Sequence, residues 1–308
     1  MSSERTLRDR FKAGERVALA RVLSYVEDHP DLSGTWIAAL PPVSNAIVIG
    51  VTGPPGAGKS TLSNALVGAY RQAGKTVAVL AFDPSSKISG GAALGDRIRM
   101  NETWSDDGVY IRSLASRGRL GGLSDAVFGA LRALDAFGVE VILIETVGVG
   151  QGEIEVAEIA DVTILIQVPG AGDTIQLIKA GVLEIADILV VNKADLPGAG
   201  ELLRDLRSLV TQVDPGKAHV AVLPTTATTI DGVTELVTAI EAAFARAASR
   251  GMARALADLK HYVISDVERQ LQARLSTAAG AELVRAVCRG EVNAWEARAR
   301  LMRDIHPG

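Results

Sequence analysis

The sequence predicts the α/β class: a doubly wound, mostly parallel sheet with helical extensions at both ends. Three observations predict it. Short aliphatic runs alternate with helical stretches from Ile47 onward. Those runs are continuously apolar rather than alternating, as expected of strands buried on both faces of a parallel sheet. The first of them leads directly into a glycine-rich loop and then a helix. The chain has 308 residues, with 48% hydrophobic, 22% charged and only 4% aromatic side chains. That length is twice the usual domain size of about 150 residues. The composition supports an ordered, aliphatic core and argues against disorder.

In chain order, residues 5–28 read as one amphipathic helix, with Leu7, Phe11, Ala18, Val22 and Tyr25 at helical spacing. His29 to Val43 carries three prolines and one glycine and reads as an irregular connection. Strand candidates follow at Ile47–Val51, Thr76–Ala81, Val139–Ile144, Val162–Val168, Asp187–Val191 and His219–Leu223. Helices are expected between them, at about 60–73, 123–137, 173–185, 200–213 and 232–249. The glycine-containing stretch 82–108 reads as a long loop or as disorder. Beyond residue 250 the strands stop. Met252, Leu256, Leu259, Val263, Val267, Leu271 and Leu275 mark one face of a long helix, and Asn293 with Glu296 forms a capping-box signature. The stripe packs either on the chain's own core or against another subunit. The expected organisation is an N-terminal helical extension (1–42), a central domain (43–249) and a C-terminal helical region (250–308).

Charge and cysteine content narrow the function classes. A formal net charge of −4 argues against a general nucleic-acid binder. A single cysteine, Cys288, excludes an internal disulfide framework and fits a reducing, cytoplasmic compartment. No apolar run reaches the roughly 18 residues of a membrane span, so no membrane partner is expected, and MSSERTLRDRF lacks the apolar core of a secretory signal.

The chemistry-bearing segments lie at strand ends. After Ile47–Val51 comes Gly53-Pro54-Pro55-Gly56-Ala57-Gly58-Lys59-Ser60-Thr61, a phosphate-binding loop in its strand–loop–helix context. Its glycines let backbone N–H groups turn towards a phosphate, and the following helix N-terminus favours the same anion. Lys59 can reach the β- and γ-phosphates, and the Ser60 hydroxyl can ligate Mg²⁺. The strand ending at Val191 delivers Asn192-Lys193-Ala194-Asp195. The Asp195 carboxylate can accept from the N1–H and 2-amino groups of guanine, donors that adenine lacks. Thr226-Ala227 follows a further strand, where a backbone turn can touch the guanine oxygen. The strand Val139–Ile144 delivers Glu145 to the neighbourhood of Mg²⁺, with Gly148 placed to bond the γ-phosphate and Gln151 to orient water. Asp83 and Asp96 are further candidate Mg²⁺ ligands, each equally readable as an ordinary loop residue.

Taken together, GPPGAGKST, DPSS followed by GGAALGDRIRM, SRGRLGGLS, ETVGVGQGE, PGAGDTIQLIK and NKAD resemble the MeaB/MMAA-type (ArgK-type) P-loop GTPases over nearly the whole chain. The resemblance implies a dimeric GTPase that binds GTP or GDP with Mg²⁺. It also implies a chaperone of an adenosylcobalamin-dependent acyl-CoA mutase, notably methylmalonyl-CoA mutase, gating cofactor loading and protecting or reactivating the client. By position it implies Asp83, Asp96 and Glu145 beside Ser60 at Mg²⁺, and a switch loop from Pro169 to Lys179 with Asp173 and Lys179 as its switch residues. The C-terminal region would carry the homodimer contact. The sequence departs from the family pattern at Arg119, Gly152, Thr174-Ile175 and Ile230. The changes in the switch loop leave the client open to a related mutase, such as a 2-hydroxyisobutyryl-CoA type.

Competing readings have less support. A nickel-insertion GTPase needs clustered Cys or His, whereas the four histidines are scattered at 29, 219, 261 and 306. A kinase of amino-acid transport, the older ArgK reading, lacks an acceptor-hydroxyl site. A catalytically inert scaffold is disfavoured by the presence of Lys59, Ser60 and Glu145.

Overall fold

A computed structural model describes residues 2–28, 40, 46–83, 106–115, 125–146, 152–170, 185–213, 220–246, 259, 263–264, 266–268 and 270–303. Its sheet has seven parallel strands: β1 (Ile47–Thr52), β2 (Val77–Asp83), β3 (Val109–Ala115), β4 (Val141–Glu145), β5 (Val162–Gln167), β6 (Ile188–Asn192) and β7 (Ala221–Thr225). Their order across the sheet is β3-β2-β4-β1-β5-β6-β7. The chain therefore winds one way from β1 to β3 and the other way after β4, and the direction reverses around β1. Open α/β sheets bind ligands at the carboxyl ends of strands beside such a switch point.

Helices cover both faces, as the two-sided apolar strands require. These are α1 (Ser2–Lys12), α2 (Arg16–Asp28), α3 (Lys59–Gln72), α4 (Asp125–Phe137), α5 (Gly152–Ile159), α6 (Ala199–Val213) and α7 (Val233–Arg246). Alternate strand residues serve opposite layers. Val48, Leu80 and Ile142 face α2 and α4, whereas Ile49, Val79 and Leu143 face α3 and α7. A third cluster joins Leu165, Leu189 and Val222 to Leu206 of α6. Backbone amides at strand starts are closed by acids: Asp161 accepts from Val48 N at 2.8 Å, and Asp187 accepts from Thr163 N at 2.9 Å.

The expected helix over 5–28 is two helices. Gly14 adopts φ 78°, Gly14 N donates to Phe11 O at 3.0 Å and Glu15 N donates to Arg10 O at 3.1 Å. That pair of bonds is a Schellman ending, with glycine supplying the left-handed residue. Strand β3 lies within a stretch where no strand was expected. It sits at the sheet edge, and Tyr110, Ile111, Arg112 and Ser113 are only half-buried, so it lacks the continuous apolar run of its neighbours. Helix α5 was also not anticipated, because GEIEVAEI is short and intersperses acids among its apolar residues. The expected helix at 173–185 falls almost wholly outside the described residues.

The chain divides into two compact units, Met1–Arg254 and Ala255–Gly308. In the second, the described residues between 259 and 275 are helical, and α8 (Ala278–Cys288) and α9 (Ala294–Arg303) follow. Thr277 caps α8 by accepting from Gly280 N at 3.1 Å. Asn293 caps α9 by accepting from Glu296 N at 2.8 Å, while the Glu296 carboxylate takes the Arg300 guanidinium at 2.8 Å.

Candidate functional site

The loop after β1 is shaped by contacts that only glycine permits. Gly53 has φ 145°, and a Cβ there would lie 2.5 Å from Ile166 O of β5. Gly58 has φ 89°, and a Cβ there would lie 2.4 Å from the Asn192 Nδ2 of β6. Between them, Ala57 N donates to Pro54 O at 3.2 Å and closes a tight turn. Gly58 is also the N-cap of α3, where no side chain caps the helix and no acid occupies the first turn. The first turn and positive end of α3 thus face no capping side chain or acid, which suits an anion.

Lys59 opens α3 and is 7% exposed. Its Nζ donates to Gly53 O at 2.9 Å and Pro54 O at 3.1 Å, which holds a positive charge at the mouth of the loop. Next to it, Ser60 Oγ donates to Glu145 Oε1. Glu145 closes β4 and lies in register with Val51 of β1, so the sheet itself brings the carboxylate to the loop. Thr146 N donates to Val51 O at 3.2 Å, and the Thr146 and Thr52 hydroxyls lie 3.4 Å apart, fastening the two strand ends together. Asp83 closes β2, whose Ala81 pairs in register with Glu145.

Asn192 ties the second half of the site to the first. Its Nδ2 donates to Ala57 O at 2.8 Å. Its Oδ1 accepts from Thr225 Oγ1 at 3.1 Å and from Ala227 N at 3.2 Å. One buried amide therefore spans the glycine-rich loop, the end of β6 and the end of β7. Lys193, at φ 57°, sends its Nζ to Gly56 O at 2.9 Å. Ala194 N donates to Thr225 O at 3.0 Å, and Asp195 beyond it is exposed. Thr226 N donates to Asp231 O at 3.0 Å, which folds the following turn back on itself.

The structure thus brings together Gly53, Pro54, Pro55, Gly56, Ala57, Gly58, Lys59, Ser60 and Thr61 with Glu145, Asn192, Lys193, Thr226 and Ala227. Asp96, Gly148, Gln151, Asp173 and Lys179 lie outside the described residues. Thr225 was not singled out by sequence reasoning. Its signal is only a threonine at a strand end, and its part in holding Asn192 becomes visible once β6 and β7 pair. Chemically, the set offers a buried ammonium, an uncapped helix start, an adjoining hydroxyl and carboxylate, and an exposed carboxylate beyond β6, two strands from β1. No cluster of three or more His, Cys, Asp or Glu suited to a metal ion occurs among the described residues.

A family model described as methylmalonyl-CoA mutase-associated GTPase MeaB matches residues 19–280. The chain is 38% identical to a Pyrococcus abyssi protein that carries the name GTPase, over 97% of this chain and 96% of that one. It is 42% identical to the GTPase ArgK of Escherichia coli over 63% of this chain and 61% of that protein. Against the mitochondrial methylmalonic aciduria type A homolog of Mus musculus, identity is 44% over 48% of this chain and 35% of that one. Among solved structures, one titled LAO/AO transport system kinase superposes with a TM-score of 0.69 over 98% of each chain. At 24% identity, that is a likeness of fold.

Proposed function

Because the chain belongs to the family of methylmalonyl-CoA mutase-associated GTPases, and hydrolyses GTP as that family does, we propose that it serves an adenosylcobalamin-dependent acyl-CoA mutase as a nucleotide-driven chaperone. In this reading it gates cofactor loading and protects or reactivates the client, which is methylmalonyl-CoA mutase or a related carbon-skeleton mutase. The observation that carries the nucleotide part is the convergence of Lys59, the Ser60–Glu145 pair and Asn192 at the ends of β1, β4 and β6. The family description and the name of the mouse relative support the mutase part.

The phosphates lie along the loop Gly53–Gly58, with backbone N–H groups and the start of α3 holding the β-phosphate. Lys59 swings from its two carbonyl partners onto the β- and γ-phosphates, exchanging neutral acceptors for charged ones. The Asp195 carboxylate accepts from guanine N1–H and the 2-amino group, while Asn192 keeps the base loop fixed to the phosphate loop. Thr226 and Ala227 supply the turn beside the guanine oxygen. A hydroxyl next to a carboxylate is an oxygen donor set that suits Mg²⁺, so Ser60 and Glu145 would hold the ion. Asp83 and Asp96 are additional ligand candidates. When bound, the ion would neutralise charge on the β- and γ-phosphate oxygens. Water attacks the γ-phosphorus in line and GDP leaves with its bridging oxygen, with Gln151 orienting the water and Gly148 N–H bonding the γ-phosphate. Lys59 and the loop amides stabilise the charge that develops.

Asp173 and Lys179 form the switch that reports nucleotide state to the client, and the compartment is cytoplasmic. The Ala255–Gly308 unit exposes Leu259, Val263 and Ile264 at 61%, 53% and 55%, which supports a homodimer contact through this region. Single-turnover and steady-state GTP hydrolysis by the purified chain, with and without an adenosylcobalamin-dependent acyl-CoA mutase, tests the reading. Slow turnover alone and faster turnover with the mutase is expected; equal rates in both would overturn the chaperone assignment.

A further inference from the structure

The ends of β1 and β4 carry two hydroxyls that the nucleotide chemistry leaves unused. Strand register sets Val51 opposite Glu145, so Thr52 and Thr146 are the next residues along. Side chains alternate across a strand, so this pair points away from Ser60 and α3. Gly50, two residues before Thr52, shows which layer the pair meets. A Cβ at Gly50 would lie 2.5 Å from Val156 Cγ1, so α5 covers this face. Both threonines are buried, and neither hydroxyl is offered to a ligand.

For stability the pair is a poor choice. Thr146 Oγ1 donates to Thr52 Oγ1 at 3.4 Å, well beyond the roughly 2.7–2.8 Å usual for O–H···O. Among the described residues it is the only side-chain hydrogen bond that either threonine makes. A hydroxyl loses its water on burial, and so long a bond returns little of that cost. Two valines would fill the same space without it.

The location of the pair gives it another use. Thr52 precedes Gly53, whose carbonyl takes Lys59 Nζ at 2.9 Å. Thr146 follows Glu145, whose carboxylate takes the Ser60 hydroxyl. One bond therefore spans the two backbone segments that hold the ammonium and the carboxylate. The neighbouring backbone bond, Thr146 N to Val51 O, is 3.2 Å, at the long end of the normal range. Hydrogen bonds at catalytic sites are often long without ligand and tighten in the complex.

We propose that Thr52 and Thr146 are positioning residues for GTP hydrolysis, whose hydroxyl bond closes once nucleotide is bound and fixes the Glu145 carboxylate beside Ser60. The pair touches no reacting atom and acts through Glu145. This inference rests on the reading above that Ser60 and Glu145 hold Mg²⁺.

The test compares Thr52→Val, Thr146→Val, the double variant and Thr146→Ser in the full chain. Three quantities are read: the urea midpoint without nucleotide, the affinity for a fluorescent GTP analogue in EDTA and in Mg²⁺, and kcat. The double variant should keep or exceed the parent's urea midpoint and bind the analogue in EDTA as the parent does. It should lose part of the affinity that Mg²⁺ adds. Its kcat should fall about tenfold, the worth of one hydrogen bond. Each valine variant alone should lose as much kcat as the double, because one bond cannot be lost twice. Thr146→Ser keeps the donor and should stay near the parent. A double variant with the parent's kcat and Mg²⁺ response would overturn the proposal. So would a kcat loss that comes with a lower urea midpoint and weaker binding in EDTA, the mark of a merely structural role. Glu145→Gln, measured alongside, separates this proposal from the reading beneath it. If Glu145→Gln loses the Mg²⁺ response while the threonine variants keep it, the positioning role alone fails. If Glu145→Gln keeps it too, the Mg²⁺ assignment of Glu145 fails and the positioning role fails with it.

Discussion

Gly58 and Asn192 exclude each other's substitutes, because the Asn192 amide occupies the space a Cβ at position 58 would take. That single approach explains why the phosphate loop and the base-side tetrapeptide must be read as one site. Lys59→Ala removes the buried ammonium and should lower GTP hydrolysis by about 100-fold or more, measured as phosphate release under saturating GTP. Asp195→Asn presents a donor where guanine also donates. It should reduce the preference for GTP over ATP by about tenfold or more in competition binding, and an unchanged preference would refute the base assignment. Ile230 stands where the resembled family carries glycine, and it adopts φ 66° while 59% exposed. A β-branched residue in the left-handed region is strained, so Ile230→Gly should raise stability by about 1 kcal/mol in urea unfolding, without touching hydrolysis. The site's glycines, Lys59 and the Asn192–Asp195 tetrapeptide were legible because backbone-driven phosphate and base recognition demands fixed residue types at fixed spacing. Thr225 was not, because a hydroxyl that braces another side chain across two strands leaves no periodic trace.

At the scale of elements, legibility followed burial on two faces. β1, β4, β5 and β6 are sealed between helical layers and show as predominantly aliphatic runs. Among the described residues, edge strand β3 pairs with β2 alone, and it carries Arg112, whose guanidinium reaches Glu27 of α2. Its sequence reads as mixed for that reason. The N-terminal helices were legible as apolar periodicity, but the break at Gly14 was not, since one glycine inside a helical pattern does not by itself distinguish a stop from a tolerated residue. These helices are more than an appendage: Val26 of α2 meets Gly129 of α4 so closely that a Cβ at 129 would lie 2.3 Å from Val26 Cγ1. Gly129→Ala should therefore destabilise the Met1–Arg254 unit by about 1–3 kcal/mol in urea unfolding, as overpacked cores do. A neutral effect would mean that α2 can withdraw from the sheet without cost.

For the whole molecule, the sheet order sets what the parts can do together. Reversal of winding around β1 places the ends of β1, β4 and β6 at one rim, so the phosphate loop with Ser60, the Glu145 carboxylate and the base loop converge from three segments far apart in sequence. Asp173 and Lys179, the proposed switch residues, come after β5 in the sequence. The helical unit Ala255–Gly308 presents apolar side chains that the proposed second copy would cover. In the proposed function, GTP hydrolysis in this chain is spent on a client enzyme. Its most direct test is affinity capture of the tagged chain from native cells, with GTP and GDP loaded in parallel and Lys59→Ala as control. An adenosylcobalamin-dependent acyl-CoA mutase subunit should be recovered in amounts that differ between GTP and GDP, with the difference lost in Lys59→Ala. Recovery of no such mutase, or equal recovery under both nucleotides, would contradict it.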